Sequence, residues 1–333
     1  MKLLLASTFI WIFVSPSLVI CQKIKAPIIL GEVLKDVDGN AINAHGAGIM
    51  YYNGIYYMFG EIKKGKTWLV PGQDWEDYRV AAGGVSCYSS ADLHRWKYEG
   101  IALAPTTGDA SYDLDTGRVI ERPKVVYNNN TRKFVMWMHV DKNDYSYSQA
   151  GVAISETPTG PYEYLGSIKP NGQMARDMTL FKDDDGKAYL VYSSENNNTM
   201  HVCVLRDDYL SPSKTFTRIL ENQRREAPAM FKSKGKYFLI TSACTGWSPN
   251  AASYAVAGNP LGPWKQLDNP CIGPGADSTF GSQSTFVLPL VDEPGHFIFV
   301  ADRWNKRDLA KSRYIWLPFI VNKGRPVIAW PKK

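Results

Sequence analysis

Five polar residues, His45, Glu121, Asp177, Glu226 and Gln283, each head an apolar strand pattern, and three of the five are carboxylates. Carboxylates brought close together raise one another's pKa values, so that one of them stays protonated near neutrality. Cleavage of a glycosidic bond uses that chemistry. One carboxylic acid protonates the departing oxygen, and a second group activates water or attacks the anomeric carbon. Glu226 is followed by the apolar run Ala227-Pro228-Ala229-Met230, a setting that lifts a carboxyl's pKa, and is expected to be the general acid. Asp177 is expected to be the neighbouring charge that lifts and orients it. On chemical grounds alone Glu121 is the better base, because the amide of Gln283 is a very poor proton acceptor.

These residues act together only if the chain folds so that strand heads converge. A repeated unit supplies this: a polar head, an apolar strand, a turn rich in Asn, Asp and Gly, and a second strand rich in Tyr, Phe and Ile. The five hairpins run from His45 through Asn53-Gly54 to Phe59, Glu121 to Trp137, Asp177 to Tyr192, Glu226 through Lys234-Gly235 to Ile240, and Gln283 to Val300. Each is a hairpin signal. Most are followed by a third strand and a clause ending in an aromatic, as in Gly84 to Trp96 or Ala150 to Tyr162, which completes a four-stranded blade. The copies begin about 50 to 75 residues apart, and no stretch keeps a long helical period, so the pattern predicts an all-β, five-bladed β-propeller. Inner strands of a propeller line its central channel, where the five heads meet. The longest insertion, Lys63 to Gly83 with Trp68 and Trp75, is expected as a rim loop.

The chain of 333 residues begins with Lys2, an apolar run from Leu3 to Val14, and Ser15 to Cys21 leading into Gln22-Lys23. That layout reads as a signal peptide over residues 1–21, with a single catalytic domain over 22–333, and predicts a secreted or periplasmic protein. A lipid anchor on Cys21 is the weaker alternative because Ile20 is bulky where a small residue is usual. No later stretch is long and apolar enough for a membrane span. Cys87, Cys203, Cys244 and Cys271 lack zinc-site spacing, and Cys87 and Cys203, inside apolar strands, read as buried free thiols. The net charge of +6 is spread along the chain, which argues against nucleic acid as a partner. Ten Trp and nineteen Tyr favour a surface that stacks on sugar rings.

Trp247, in Thr245-Gly246-Trp247, is expected as a sugar platform, and Tyr145 and Tyr147 as pocket walls at the matching place in the second blade. His45 is expected to meet sugar hydroxyls. Strand alternation directs Arg122 and Arg225 away from the channel. Asp183-Asp184-Asp185-Gly186 lacks the later ligands of a calcium loop and reads as a hairpin turn.

The segments Asn43 to Gly48 with Tyr57 to Glu61, Glu121-Arg122-Pro123-Lys124-Val125, Arg176-Asp177-Met178-Thr179, Arg225-Glu226-Ala227-Pro228, Thr245-Gly246-Trp247 and Gln283-Ser284-Thr285 together resemble glycoside hydrolase family 43, in its exo-β-1,3-galactanase branch. The resemblance implies a five-bladed propeller and an inverting mechanism, with Glu226 as acid and Asp177 as pKa modulator. Most of that family opens its first blade with a catalytic-base Asp, where this sequence has Ala44-His45. The branch also lacks it, and the resemblance implies instead a last-blade Gln, here Gln283, that positions or activates the water as its amide or its imidic tautomer. Glu121 resembles a further essential acid, and Glu61 a carboxylate that holds the terminal sugar.

The expected activity is release of galactose from the non-reducing ends of β-1,3-galactan, the backbone of arabinogalactans, by a monomer that needs no metal or cofactor. Another specificity of the family, α-L-arabinofuranosidase or β-xylosidase, is the enzymatic alternative. A carbohydrate-binding propeller without catalysis is the other.

Overall fold

The computed structural model describes residues 26–73 and 75–332. The signal peptide and its lipid-anchor alternative lie outside them. Asn53 and Gly54 both adopt positive φ, 49° and 84°, as do Lys234 and Gly235 at 48° and 73°. Two successive left-handed residues twist a two-residue turn to match its flanking strands, so each pair closes a tight hairpin, Tyr52 opposite Ile55 and Ser233 opposite Lys236.

Four antiparallel sheets of four strands follow in chain order. They comprise His45–Tyr52, Ile55–Lys63, Ala82–Ser90 and Lys97–Leu103; Val119–Asn128, Lys133–Asp141, Gln149–Ser155 and Glu163–Ile168; Met178–Lys182, Ala188–Ser194, Thr199–Leu205 and Pro212–Ile219; and Arg225–Ser233, Lys236–Ala243, Ser253–Ala257 and Lys265–Leu267. The fifth blade, Gln283–Pro289, His296–Arg303, Arg313–Asn322 and Arg325–Ala329, gains Ile29–Leu30 on its third strand and Cys271–Ile272 on its fourth. Strand Ile29–Leu30, from the start of the described chain, pairs with Ile315 and Trp316 and ties the first blade to the last.

Apolar residues occur on both faces of the middle strands, as in Phe238-Leu239-Ile240, because each sheet packs against a neighbour on either side. Five buried clusters result, one at each interface: Ile49 and Met58 with Ile298 and Trp316, Phe59 and Val85 with Val125 and Met136, Trp137 and Val152 with Leu180 and Leu190, Val191 and Val202 with Met230 and Leu239, and Phe231 and Ile240 with Val287 and Phe299. Five interfaces among five blades close the ring, and the structure is the five-bladed β-propeller expected.

Asp183 to Lys187 is a hairpin turn, closed by Asp183 N–H donating to Lys187 O at 2.9 Å; its carboxylates pair with Lys232 and Tyr237. The four described cysteines are unpaired, three of them buried. Among the described residues no helix is long and apolar enough to cross a membrane.

Candidate active site

The strand heads do not enter the channel by simple alternation. Pairing slips between His45 and Gly48, Glu121 and Lys124, Glu226 and Ala229, and Ser284 and Phe286, a β-bulge in four blades. Bulges bend the strand and re-aim side chains. Gly46, Arg122 and Ala227 take φ of 57°, 56° and 54° at these places, a conformation that costs a non-glycine residue about 1 kcal/mol or more. A Cβ on Gly46 would lie 2.8 Å from Glu61 Oε1 and 3.1 Å from Arg122 N, so the first blade needs glycine there. The N–H that the bulge frees at Ala227 donates to Asp177 Oδ2 at 3.0 Å.

The bulge also overturns the orientation expected of Arg122. Its guanidinium turns into the channel, with Nε 2.9 Å from Asp177 Oδ1, Nη2 donating to Gln283 Oε1 at 2.7 Å and Nη1 to Ser284 O at 2.9 Å. Arg225 follows alternation and is structural, bonded to Thr241 Oγ1 and O.

A cavity of about 700 Å³ opens over this centre, walled by Glu61, Glu121, Arg122, Asp177, Glu226 and Gln283. Gln283 Nε2 donates to Glu226 Oε1 and to Ser242 Oγ, each at 3.0 Å, while its Oε1 also accepts from Trp304 Nε1 at 3.0 Å. Asn197 Nδ2 reaches Glu226 Oε2 at 3.3 Å. Burial, reinforced by the charge of Asp177, pushes the Glu226 carboxyl up to about 8. It is therefore protonated at neutral pH, in the state a general acid requires. Beside it the Cys244 thiol is pushed up to about 12 by burial and by the charge of Glu226.

Glu121 has the opposite character. Burial pushes its carboxyl upward, but a hydrogen bond from His139 and the positive charges of Lys63, His139 and Arg79 outweigh this and hold it well below the usual carboxylate range. Tyr145 Oη donates to both oxygens at 3.1 Å. His139 Nδ1 lies 3.3 Å from Oε2 and Lys63 Nζ 3.7 Å from Oε1. Glu61, 2.7 Å from Lys63 Nζ, is pushed up to about 7 by burial despite that lysine. The cavity thus holds a protonated acid and an ionised carboxylate, two carboxyls driven apart by their surroundings.

Aromatics form the rim. Trp75, from the first-blade insertion, stands 6.2 Å from the Tyr145 ring and against Gly246, where an added Cβ would meet it at 2.9 Å. Trp247 packs edge to face on Trp304 at 5.2 Å, with Lys63 Nζ about 6 Å from both rings. The insertion is the rim loop expected. Trp75 lines the cavity from that loop, and Trp304, His139 and Asn197 are cavity residues that sequence reasoning did not single out.

Two further expectations fail on geometry. His45 does not line the cavity: it is buried, its Nδ1 2.9 Å from Asp302 Oδ1, its ring stacked on Tyr314 at 4.9 Å and tilted against Trp304. Tyr147 is also outside it. The chain takes positive φ at Tyr145 and Ser148, the Tyr147 and Ser148 N–H groups are captured by Asp141 Oδ1, and the Tyr147 hydroxyl faces Ser167.

Donor atoms of Glu121, His139 and Asp177 lie within 4.8 Å of one another. The set does not fit a metal ion: His139 has both nitrogens engaged, by Glu121 and Asp141, and both Asp177 oxygens are taken by Arg122 and Ala227 N.

Residues 73–274 match the model of glycosyl hydrolases family 43. The chain belongs to that family. Within family 43 it is similar to a β-1,3-galactosidase solved with galactodeoxynojirimycin, at 42% identity and a TM-score of 0.84 over 92% of this chain and 99% of that one. An exo-β-1,3-galactanase from Phanerochaete chrysosporium, solved with β-1,3-galactotriose, matches at 36% identity and a TM-score of 0.81 over 91% of this chain and 67% of that one. Among curated relatives, a β-D-galactofuranosidase from Aspergillus niger is 29% identical over 191 residues, 53% of this chain and 54% of that protein. A xylan 1,3-β-xylosidase from Vibrio sp is 22% identical over 189 residues, 50% and 34%. The match thus spans about half the length of the first curated relative and a third of the second.

Proposed function

We propose that this chain is an exo-acting, inverting β-1,3-galactosidase that removes galactose from the non-reducing ends of β-1,3-galactan. The observation that carries the reading is the hydrogen-bonded pair Glu226 and Gln283 beside Asp177, a protonated carboxyl fixed by an amide where an inverting site keeps its acid. Likeness to proteins solved with galactodeoxynojirimycin and β-1,3-galactotriose supports the sugar and the linkage. The cavity volume suits one or two sugar rings. Trp247 Nε1 and Asn197 Oδ1 are buried without a hydrogen-bond partner in the chain, and sugar hydroxyls would satisfy both.

In this reading Glu226 protonates the departing oxygen, Asp177 keeps that proton in place by its charge, and Trp247 carries a sugar face. Glu61 with Lys63 takes the galactose hydroxyls. Gln283 has both amide hydrogens and both carbonyl lone pairs engaged, which suits it to fixing the acid and leaves no free site for a proton from water. Its oxygen faces only donors, Arg122 and Trp304, an arrangement that disfavours the O–H of an imidic tautomer. Glu121, ionised, is then the acceptor for the attacking water. An oxocarbenium-like transition state draws little charge from the water until late, so a weak base suffices. The apolar run from Leu3 to Val14 supports export to a secreted or periplasmic location.

The test is sugar release from β-1,3-galactotriose and from arabinose- and xylose-capped oligosaccharides. Galactose alone supports the proposal; arabinose or xylose alone moves the enzyme to another specificity of family 43.

A further inference from the structure

His139 and Asp141 stand two residues apart on Lys133–Asp141, hence on one face of the strand; His139 reaches the cavity wall beside Glu121 and Asp141 lies behind it. Asp141 is fully buried. Its Oδ1 accepts the N–H groups of Lys142, Tyr147 and Ser148 at 2.8–2.9 Å, and its Oδ2 accepts Ser148 Oγ at 2.9 Å and contacts His139 Nε2 at 2.9 Å. The other imidazole nitrogen meets Glu121. The ring stacks on Tyr145 at 5.7 Å and 12°, and Tyr145 closes the circuit through its hydroxyl on the same carboxylate. A cyclic arrangement of this kind fixes Glu121 from two directions at the cavity wall.

We propose that His139, backed by Asp141, is a positioning residue that holds Glu121 as an oriented carboxylate for the hydrolytic step. The proposal rests on the hydrolase reading given above. The charge logic agrees with the geometry. Burial works against the imidazolium, but the hydrogen bonds and charges of Asp141 and Glu121 outweigh it and push His139 up to about 9. Below that pH a cation lies against Glu121 and favours its ionised form. The other charged and titratable groups facing Glu121 come from several elements: Lys63 and Glu61 from the first blade, Arg79 and Asp77 from the rim loop, Arg122 on its own strand, Asp177 from the third blade and Glu226 from the fourth. Losing His139 therefore raises the Glu121 pKa without emptying the site of positive charge.

The experiment is the pH dependence of kcat and kcat/KM for galactose release by wild type, His139→Gln and Asp141→Asn in the full chain, with thermal melting to confirm folding. The proposal expects kcat to fall roughly ten- to a hundredfold, KM to change far less, and the acid limb of kcat/KM to move up by about one pH unit or more, in the same direction for both variants. Slower variants whose acid limb coincides with that of wild type would reduce the pair to packing and overturn it. If the variants do not fold, the imidazole NMR titration of wild type decides: a His139 ring still protonated at pH 8 supports the proposal, and a ring neutral at pH 7 overturns it. The NMR arm needs no substrate, so it remains decisive if wild type releases another sugar.

Discussion

Gln283 Nε2 lies 3.0 Å from Glu226 Oε1, and the direction of that hydrogen bond is fixed by what stands behind the amide. Arg122 and Trp304 offer only hydrogens to Gln283 Oε1, so the nitrogen must face Glu226. The acid is thereby held by a neutral donor that does not compete for its proton.

Glu226→Gln keeps the size and most hydrogen bonds of the acid but carries no transferable proton. We expect kcat on β-1,3-galacto-oligosaccharides to fall by about 10³-fold, and to fall much less on an aryl galactoside with a good leaving group, which needs little protonation. Steady-state kinetics on both substrates checks this; equal losses would assign Glu226 to binding.

With Glu226 pushed up to about 8, the acid is loaded below that pH and empties above it. The rate should be flat from weakly acidic to neutral pH and drop tenfold per unit beyond about 8; a basic limb near pH 5 would contradict it. Stability is linked to the same proton. Between the ordinary carboxyl range near 4.5 and about 8, the folded state holds a proton that the unfolded chain releases. This contribution is therefore fully present at low pH and lost as pH rises through that window. Glu226→Gln removes the dependence, so its Tm should exceed that of wild type by a few degrees more at pH 8 than at pH 5.

Much of this centre was legible in the chain. Asn53-Gly54 and Lys234-Gly235 mark hairpins because those turns require left-handed residues, and the repeat spacing places Glu121, Asp177, Glu226 and Gln283 on one axis. Arg122 was misplaced because alternation assumes a regular strand, whereas a bulge with φ of 56° swings the side chain inward. His45 was misplaced because its partner, Asp302, is 257 positions away. His139 and Asp141 look like strand interior; their i, i+2 spacing was a signal within reach, since two buried titratable groups on one face need each other.

Arg122 bridges Asp177, Gln283 and Ser284 O with one planar group, which a lysine ammonium cannot reproduce. Arg122→Lys should lower kcat by about a hundredfold and raise KM far less, because the acid loses its orientation while the sugar-facing rim stays whole. Separate determination of kcat and KM tests this, and a pure KM effect would contradict it.

Gly246, at φ 58° and in contact with Trp75, holds the rim loop over the site. Gly246→Val both strains the backbone and pushes Trp75 aside. The expected result is a KM raised about tenfold with kcat nearly unchanged, and matching weakening of galactose binding in calorimetry; unchanged binding would remove Trp75 from the sugar site.

The most direct test of the whole account is NMR of the first galactose released from reduced β-1,3-galactotriose by wild type, read before mutarotation. An inverting exo-galactosidase yields α-galactose and the shortened alditol, and Glu226→Gln yields neither at a comparable rate. Release of β-galactose, of an internal fragment, or of no galactose at all would contradict it.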